Sequence, residues 1–203
     1  TDSGRSSGRL RSERGILPPG DARNCLVALS EPGQRERLLN QLFQYRFNNG
    51  SLEGLSLGNL IIAAMTDITG SFESGLRTLS SLLNIRGKVL SPTLNDCHIC
   101  AELEDGTTVE GEVDVRRVGK PPIKRVFLAP NSPETYEMAA QEIRDADLVV
   151  IGPGSLFTSV ISNILVPGIR RAITESGALK VYVCNIVTQP GQTDGFNASD
   201  HVR

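Results

Sequence analysis

Apolar positions in the first half of the chain recur at the spacing of a helix. Asp21 opens a stretch holding Cys25, Leu26 and Leu29, and after Pro32-Gly33 a second runs through Leu38, Leu39, Leu42 and Phe43. Apolar residues three and four apart behind a capping side chain predict two helices. Gly58-Asn59 opens a third, through Ile61, Ile62 and Met65 to Gly70, and Leu76, Leu79, Leu82 and Leu83 mark a fourth ended by Gly87. The first twenty residues, as far as Leu17-Pro18-Pro19-Gly20, carry turn chemistry and little periodicity, which predicts an extended surface loop.

The pattern then changes period. Ile99, Ala101 and Leu103 alternate with polar residues, Asp105-Gly106 supplies a turn, and Val109, Val113 and Val115 alternate on the far side, so residues 97–118 predict a β-hairpin. From Arg125 short apolar runs alternate with helical stretches: Val126-Phe127-Leu128, a helix begun by Ser132-Pro133-Glu134, Leu148-Val149-Val150-Ile151, a helix from Pro167 to Ser176, and Val181-Tyr182-Val183-Cys184. Continuous apolar strands separated by helices are what a parallel sheet covered on both faces requires. The expected class is α/β: a doubly wound, mostly parallel sheet with a helical front half and an inserted hairpin, in a single nucleotide-binding domain over residues 1–203.

A length of 203 residues suits one such core. The formal charge of −2 is small, and cationic and anionic residues alternate without a basic tract, which argues against duplex nucleic acid as a partner. No apolar run reaches the roughly 20 residues that span a bilayer. Cys25, Cys97, Cys100 and Cys184 are scattered, without a disulfide framework or secretory signal, so a reducing cytoplasm is expected. The chain starts at Thr1 inside a Ser/Gly/Arg stretch and stops at Arg203, and it reads as a fragment.

Ligands of an open parallel sheet bind beyond the carboxyl ends of its strands, and two loops qualify. Gly152-Pro153-Gly154-Ser155 follows the strand at 148–151 and leads into Thr158 and Ser159. Its glycines admit close backbone approach, a helix N-terminus offers free N–H groups to an anion, and the hydroxyls add bonds to phosphate oxygens. Phe157 stands where a hydrolase elbow needs glycine, which removes a nucleophilic Ser155. The second loop, from Asn185 through Thr188, Gln189, Gly191 and Gln192 to Thr193, carries amides and hydroxyls able to read a base or a sugar.

Weaker candidates come from the front. The stretch Ser3 to Arg11 could wrap phosphate with backbone amides while Arg5 or Arg9 supplies charge. Asp21 reads as a helix cap, and Gly58-Asn59 as a helix start that could also approach a ligand. Cys97-His98-Ile99-Cys100 has half of a zinc spacing without a second pair, and strand alternation would point its thiols apart. His201 is a weak ligand contact.

These residues fall into blocks that resemble one family. Ser6-Ser7-Gly8-Arg9-Leu10-Arg11, Leu17-Pro18-Pro19-Gly20-Asp21 with Arg23-Asn24, and Leu42-Phe43-Gln44-Tyr45-Arg46-Phe47 come first. Gly58-Asn59-Leu60, Gly152-Pro153-Gly154-Ser155-Leu156 with Thr158-Ser159, and Asn185 with Thr188-Gln189-Pro190-Gly191 follow. In this order they resemble the bacterial gluconeogenesis-factor family, related to the CofD-type phospho-lactate transferases of deazaflavin-coenzyme synthesis. The resemblance implies a Rossmann-like fold that binds a UDP-sugar such as UDP-N-acetylglucosamine and acts in control of carbon metabolism, cell-wall synthesis and cell shape. It implies ligand contacts from Asp2, Ser3, Gly4, Ser6, Ser7, Arg9, Asp21 and Asn24, besides those of the two loops. It also implies a family glycine-rich strand and turn upstream of Thr1 and further helices beyond Arg203.

The family's opening loop pairs two acidic residues before two glycines, whereas this chain reads Asp2-Ser3-Gly4-Arg5. The missing carboxylate weakens a Mg²⁺-dependent transferase, the alternative to a non-catalytic nucleotide-sugar binder, because Mg²⁺ takes hard oxygen ligands. No cofactor is otherwise expected, and a homodimer stays open.

Overall fold

The computed structural model describes residues 4–202. By its internal contacts the chain divides into two compact units, Asp2–Ser91 and Pro92–Arg203.

The front unit is helical: α1 (Arg5–Arg14), α2 (Gly20–Leu29), α3 (Gln34–Gln44), α4 (Leu57–Thr69) and α5 (Phe72–Leu82). The last four lie where the apolar periodicity placed helices, and their apolar stripes meet in one core around Leu26, Phe43, Ile62, Leu76 and Leu79. Asp21 does not cap α2. It lies in that helix's first turn behind Pro19, where a carboxylate still complements the positive end of the helix.

The expected opening loop is a helix, α1. Glycine and serine are poor helix formers, but Leu10 packs with Ile16 and Ala63 in a small second core, and Ser6 and Ser7 are buried. Tertiary contact overrides local propensity here. Gly15, in the left-handed region at φ 65°, closes the helix with its N–H on the Arg11 carbonyl.

The back unit is a mixed α/β arrangement with two small sheets, not a doubly wound parallel one. Strands β1 (His98–Leu103), β2 (Thr108–Glu110) and β3 (Ile123–Ala129) form an antiparallel sheet in the order β2-β1-β3. The expected second hairpin arm ends at Glu110, because Gly111 turns the chain into a short helix, α6 (Glu112–Val115). Val113 and Val115 are therefore helical. The run at 126–128, read as the start of a parallel series, pairs antiparallel with β1 instead, Ala101 facing Val126. An apolar run specifies a strand but not its direction, and a short connection returns a chain antiparallel whereas a parallel neighbour needs a crossover.

Among the described residues such a crossover is present once. After α7 (Glu137–Arg144), strand β4 (Leu148–Ile151) is followed by a π-helical turn (Leu156–Ile161), α8 (Ser162–Ile164) and α9 (Pro167–Glu175). The chain then enters β5 (Leu179–Tyr182), which pairs parallel to β4 with Leu148 opposite Leu179 and Val150 opposite Val181. These four side chains are exposed, so among the described residues one face of the pair is not covered as a doubly wound sheet would be.

The inner face of the antiparallel sheet, Ile99, Ala101 and Leu103, packs with Leu156 and Phe157 into the core of this unit.

Candidate functional site

Both loops singled out in the back unit leave the carboxyl ends of adjacent parallel strands, and they bond to one another. Asn185 Nδ2 donates to the Gly154 carbonyl at 2.7 Å, and the Leu156 amide donates to Gln189 Oε1 at 3.3 Å. Ser155 Oγ reaches Gln192 Oε1 at 2.6 Å while Thr158 Oγ1 reaches Ser155 Oγ at 2.8 Å. Thr193, fully buried, accepts the Gln189 amide on its Oγ1 at 2.8 Å. The Leu156 amide and the Ser155 hydroxyl thus face two carboxamide oxygens, uncharged acceptors that stand where anionic oxygens would be welcomed.

Backbone geometry holds the loops together. Gly152 sits at φ 82°, and a Cβ there would come within 2.9 Å of the Val183 carbonyl. A Cβ at Gly191, at φ 78°, would meet the Arg117 and Arg116 carbonyls at 2.7 and 2.9 Å. Both glycines therefore serve the approach of one backbone to another. Gly154 differs from expectation, since a Cβ there meets Ser159 Cβ and Val160 Cγ2 at an ordinary 3.4 and 3.6 Å.

Beyond Ser155 the chain forms a π-helical turn in which the Ser159 and Val160 amides share the Ser155 carbonyl, each at 2.9 Å. Turns of this kind concentrate at functional sites. Pro153 and Thr188 are exposed at the rim, and Ser159 is half-buried.

Around this cluster the charges are sparse. Lys120 donates its ammonium to the Gly191 carbonyl. Burial holds its pKa below the ordinary lysine value, with Asp194 opposing and Arg117 adding to the shift. Tyr182, at the end of β5, is pushed above the usual phenol value by burial and then by Cys184. His201 packs edge-on against Phe196, with ring centroids 5.6 Å apart, and Phe196 against Phe157 at 6.3 Å. Its Nδ1 lies 3.0 Å from the Asn197 carbonyl, while Nε2 is buried with no hydrogen-bond partner.

The front unit gathers its own polar cluster. Ser6 Oγ accepts the Ser56 amide and Asn59 Nδ2, both at 3.0 Å, and Asn59 Nδ2 also reaches Ser7 Oγ at 3.2 Å. Arg23, a buried cation, donates to Ser56 Oγ at 2.5 Å and to Asn24 Oδ1 at 2.9 Å. Asn59 is 1% exposed, yet its Oδ1 has no partner, an omission that costs about 1–3 kcal/mol unless something donates to it.

Gly58 is not a ligand window, because a Cβ there would strike the Phe43 carbonyl at 2.4 Å and Arg23 Cδ at 2.8 Å. Arg9 is turned outward, paired with Glu13 at 2.7 Å and bonded to the Ser51 carbonyl at 3.2 Å. Gly4 caps α1 and Asp21 is exposed. Asp2 and Ser3 lie outside the described residues. The wrapping of phosphate by loop amides expected for 3–11 does not fit α1, whose N–H groups beyond the first turn are used within the helix.

Gln192 was named within the second loop, whereas Arg23, Ser56 and Lys120 were not singled out as site residues. A signal existed for Arg23, a charge three residues before Leu26 on the buried stripe of α2. For the others none did, because polar residues beside turns are ordinary.

Comparison with known proteins agrees with this architecture. A family model described as 2-phospho-L-lactate transferase CofD matches residues 1–203. The chain is 55% identical over 203 residues to the gluconeogenesis factor of Halalkalibacterium halodurans, covering 100% of this chain and 62% of that protein. It is 50% identical over 203 residues to the gluconeogenesis factor of Bacillus subtilis, covering 100% of this chain and 63% of that one. A crystal structure of a UPF0052 family member from Bacillus halodurans matches with a TM-score of 0.93 at 55% identity, over 100% of this chain and 64% of that one. The chain thus spans a little over three fifths of the length of these relatives.

Proposed function

We propose, on the premise that this chain belongs to the CofD family, that it forms the nucleotide-sugar-binding part of a cytoplasmic regulatory protein, with a UDP-sugar such as UDP-N-acetylglucosamine as ligand. The observation that carries the reading is the pairing of the turn at 152–155 with the loop at 185–193 beyond the carboxyl ends of β4 and β5. A diphosphate would take the bonds that Gln189 and Gln192 now accept, and the freed carboxamides would be available to uridine or sugar. The buried Nε2 of His201 is a polar atom that lacks a partner in the protein alone, and a ligand hydroxyl or amide is suited to supply it. By resemblance the reading extends to control of carbon metabolism, cell-wall synthesis and cell shape.

Calorimetry of the full-length protein with UDP-N-acetylglucosamine tests it. Saturable binding is expected, and it should weaken in His201→Phe, which keeps the ring contact with Phe196 and deletes both nitrogens. No heat at millimolar ligand would refute the proposal.

The second reading, a Mg²⁺-dependent transferase, rests on the family model's description. Asp21 is the single carboxylate among the described candidate residues, which is not the hard-oxygen set that Mg²⁺ takes. Magnesium-dependent nucleotide release lost in Asp21→Asn would favour this reading over the first.

A further inference from the structure

The outward face of the antiparallel sheet carries a cluster remote from both loops in chemistry. His98 and Cys100 are two residues apart on β1 and so point the same way. Cys100 lies directly across from Glu110 on β2. The His98 imidazole, the Cys100 thiol and the Glu110 carboxylate place one donor atom each within 4.8 Å of one another, and His98 Nε2 is bonded to Glu110 Oε1. Next along this face, Glu102 is held by Lys124 at 2.7 Å and Arg125 at 2.6 Å. Its charge is thus neutralised within the sheet.

We infer that His98, Cys100 and Glu110 form a binding site for a divalent transition-metal ion, zinc by the chemistry of the donors. A mixed nitrogen, sulfur and oxygen set is borderline-soft, which suits zinc and disfavours magnesium and calcium, whose ligands are oxygens. Zinc bonds of about 2.0–2.3 Å set tetrahedral donors roughly 3–4 Å apart, so closing the cluster takes on the order of 1 Å of side-chain rotation.

Cys100 is 3% exposed, and Phe127, its partner on β3, shares the face; burial and then the Glu110 carboxylate hold the thiol pKa above its ordinary value, so the ion must displace that proton as it binds. The His98 and Glu110 side chains keep 31% and 65% of their exposure, leaving a path for the ion and room for water as a fourth ligand. On binding, the metal takes the place of the hydrogen between His98 Nε2 and Glu110 Oε1, with the neutral imidazole carrying its N–H on Nδ1, and the Cys100 proton leaves to solvent as its thiolate forms. Cys97, one residue before β1, lies on neither strand of the pair, so the Cys-x-x-Cys spacing is coincidental and Glu110 is the ligand that spacing alone could not show.

Zinc chloride titrated against the reduced full chain, with a chromophoric chelator as competitor, should show one tight equivalent. Cobalt substitution should give the sulfur-to-metal charge-transfer band of a thiolate ligand. His98→Ala and Glu110→Gln, both on the solvent side of the strand pair, should each weaken zinc binding at least tenfold, the smallest loss expected even of outer-shell partners. Cys100→Ala should abolish the cobalt band, while Cys97→Ala should change neither measurement. No tight zinc in the parent chain, or equal affinity in His98→Ala and Glu110→Gln to that of the parent, would overturn the assignment. Should Cys100→Ala fail to fold, the zinc affinities of those two variants decide the matter.

Discussion

Two glycines of one tetrapeptide show how far residue identity reaches. Gly152 is required twice over, by φ 82° and by the Val183 carbonyl 2.9 Å from any Cβ, while Gly154 has an ordinary φ and a tolerable 3.4 Å contact. Gly152→Ala is expected to destabilise the protein by about 2 kcal/mol from the left-handed backbone alone, and Gly154→Ala to stay within about 0.5 kcal/mol. Urea unfolding of the two variants checks the contrast, and equal midpoints would contradict it. The sequence marked both glycines as special without separating their reasons, because the reason lies just past a strand about thirty residues away. The same holds at Asn59: its place at a helix start was legible, but the serines that take its amide come from a segment whose helicity depends on burying them.

Among the elements, helices α2 to α5 and strand β1 were legible because a period of 3.6 or 2 is written into the side chains themselves, and β4 and β5 were legible as short apolar runs, with β5 beginning two residues before its run at 181–184. Helix α1 was not, its glycine and serine content hiding a stripe completed by Ala63 on α4. Strand β3 was legible as a strand and misread in direction. Its pairing with β1 is fastened at one end by Glu102, whose carboxyl is held below its ordinary 4.5 by hydrogen bonds from Lys124 and then Arg125. A carboxylate with a lowered folded pKa adds stability above its unfolded value and loses it as pH falls through the folded one. The stability difference between parent and Glu102→Gln should therefore be largest near neutral pH and shrink below pH 4.5. A difference that does not change between pH 7 and pH 3 in urea titrations would remove the ion pair from the account.

At the scale of the whole molecule, each of the two units closes its own core, and none of the described helices is alone long and apolar enough to cross a membrane. What stands out is the uncovered face of the parallel pair, where Leu148, Val150, Leu179 and Val181 are 50%, 53%, 68% and 39% exposed. Contiguous apolar surface of this kind attracts apolar partners. The 203-residue chain is accordingly expected to bind a hydrophobic reporter dye, and Val150→Thr with Val181→Thr to lower the signal without loss of helical circular dichroism. An unchanged signal would place the dye elsewhere. Hydrophobic periodicity, turn residues and the blocks of family-like sequence determined helices α2 to α5, the two candidate loops and the family, since all three are local properties of a chain. Only the tertiary structure decided strand direction, the partners of Arg23, the burial of Asn59, the glutamines facing Ser155 and Leu156, and the meeting of Glu110 with His98 and Cys100. Each of these depends on which distant segments come within a few ångströms, and no local pattern encodes that distance.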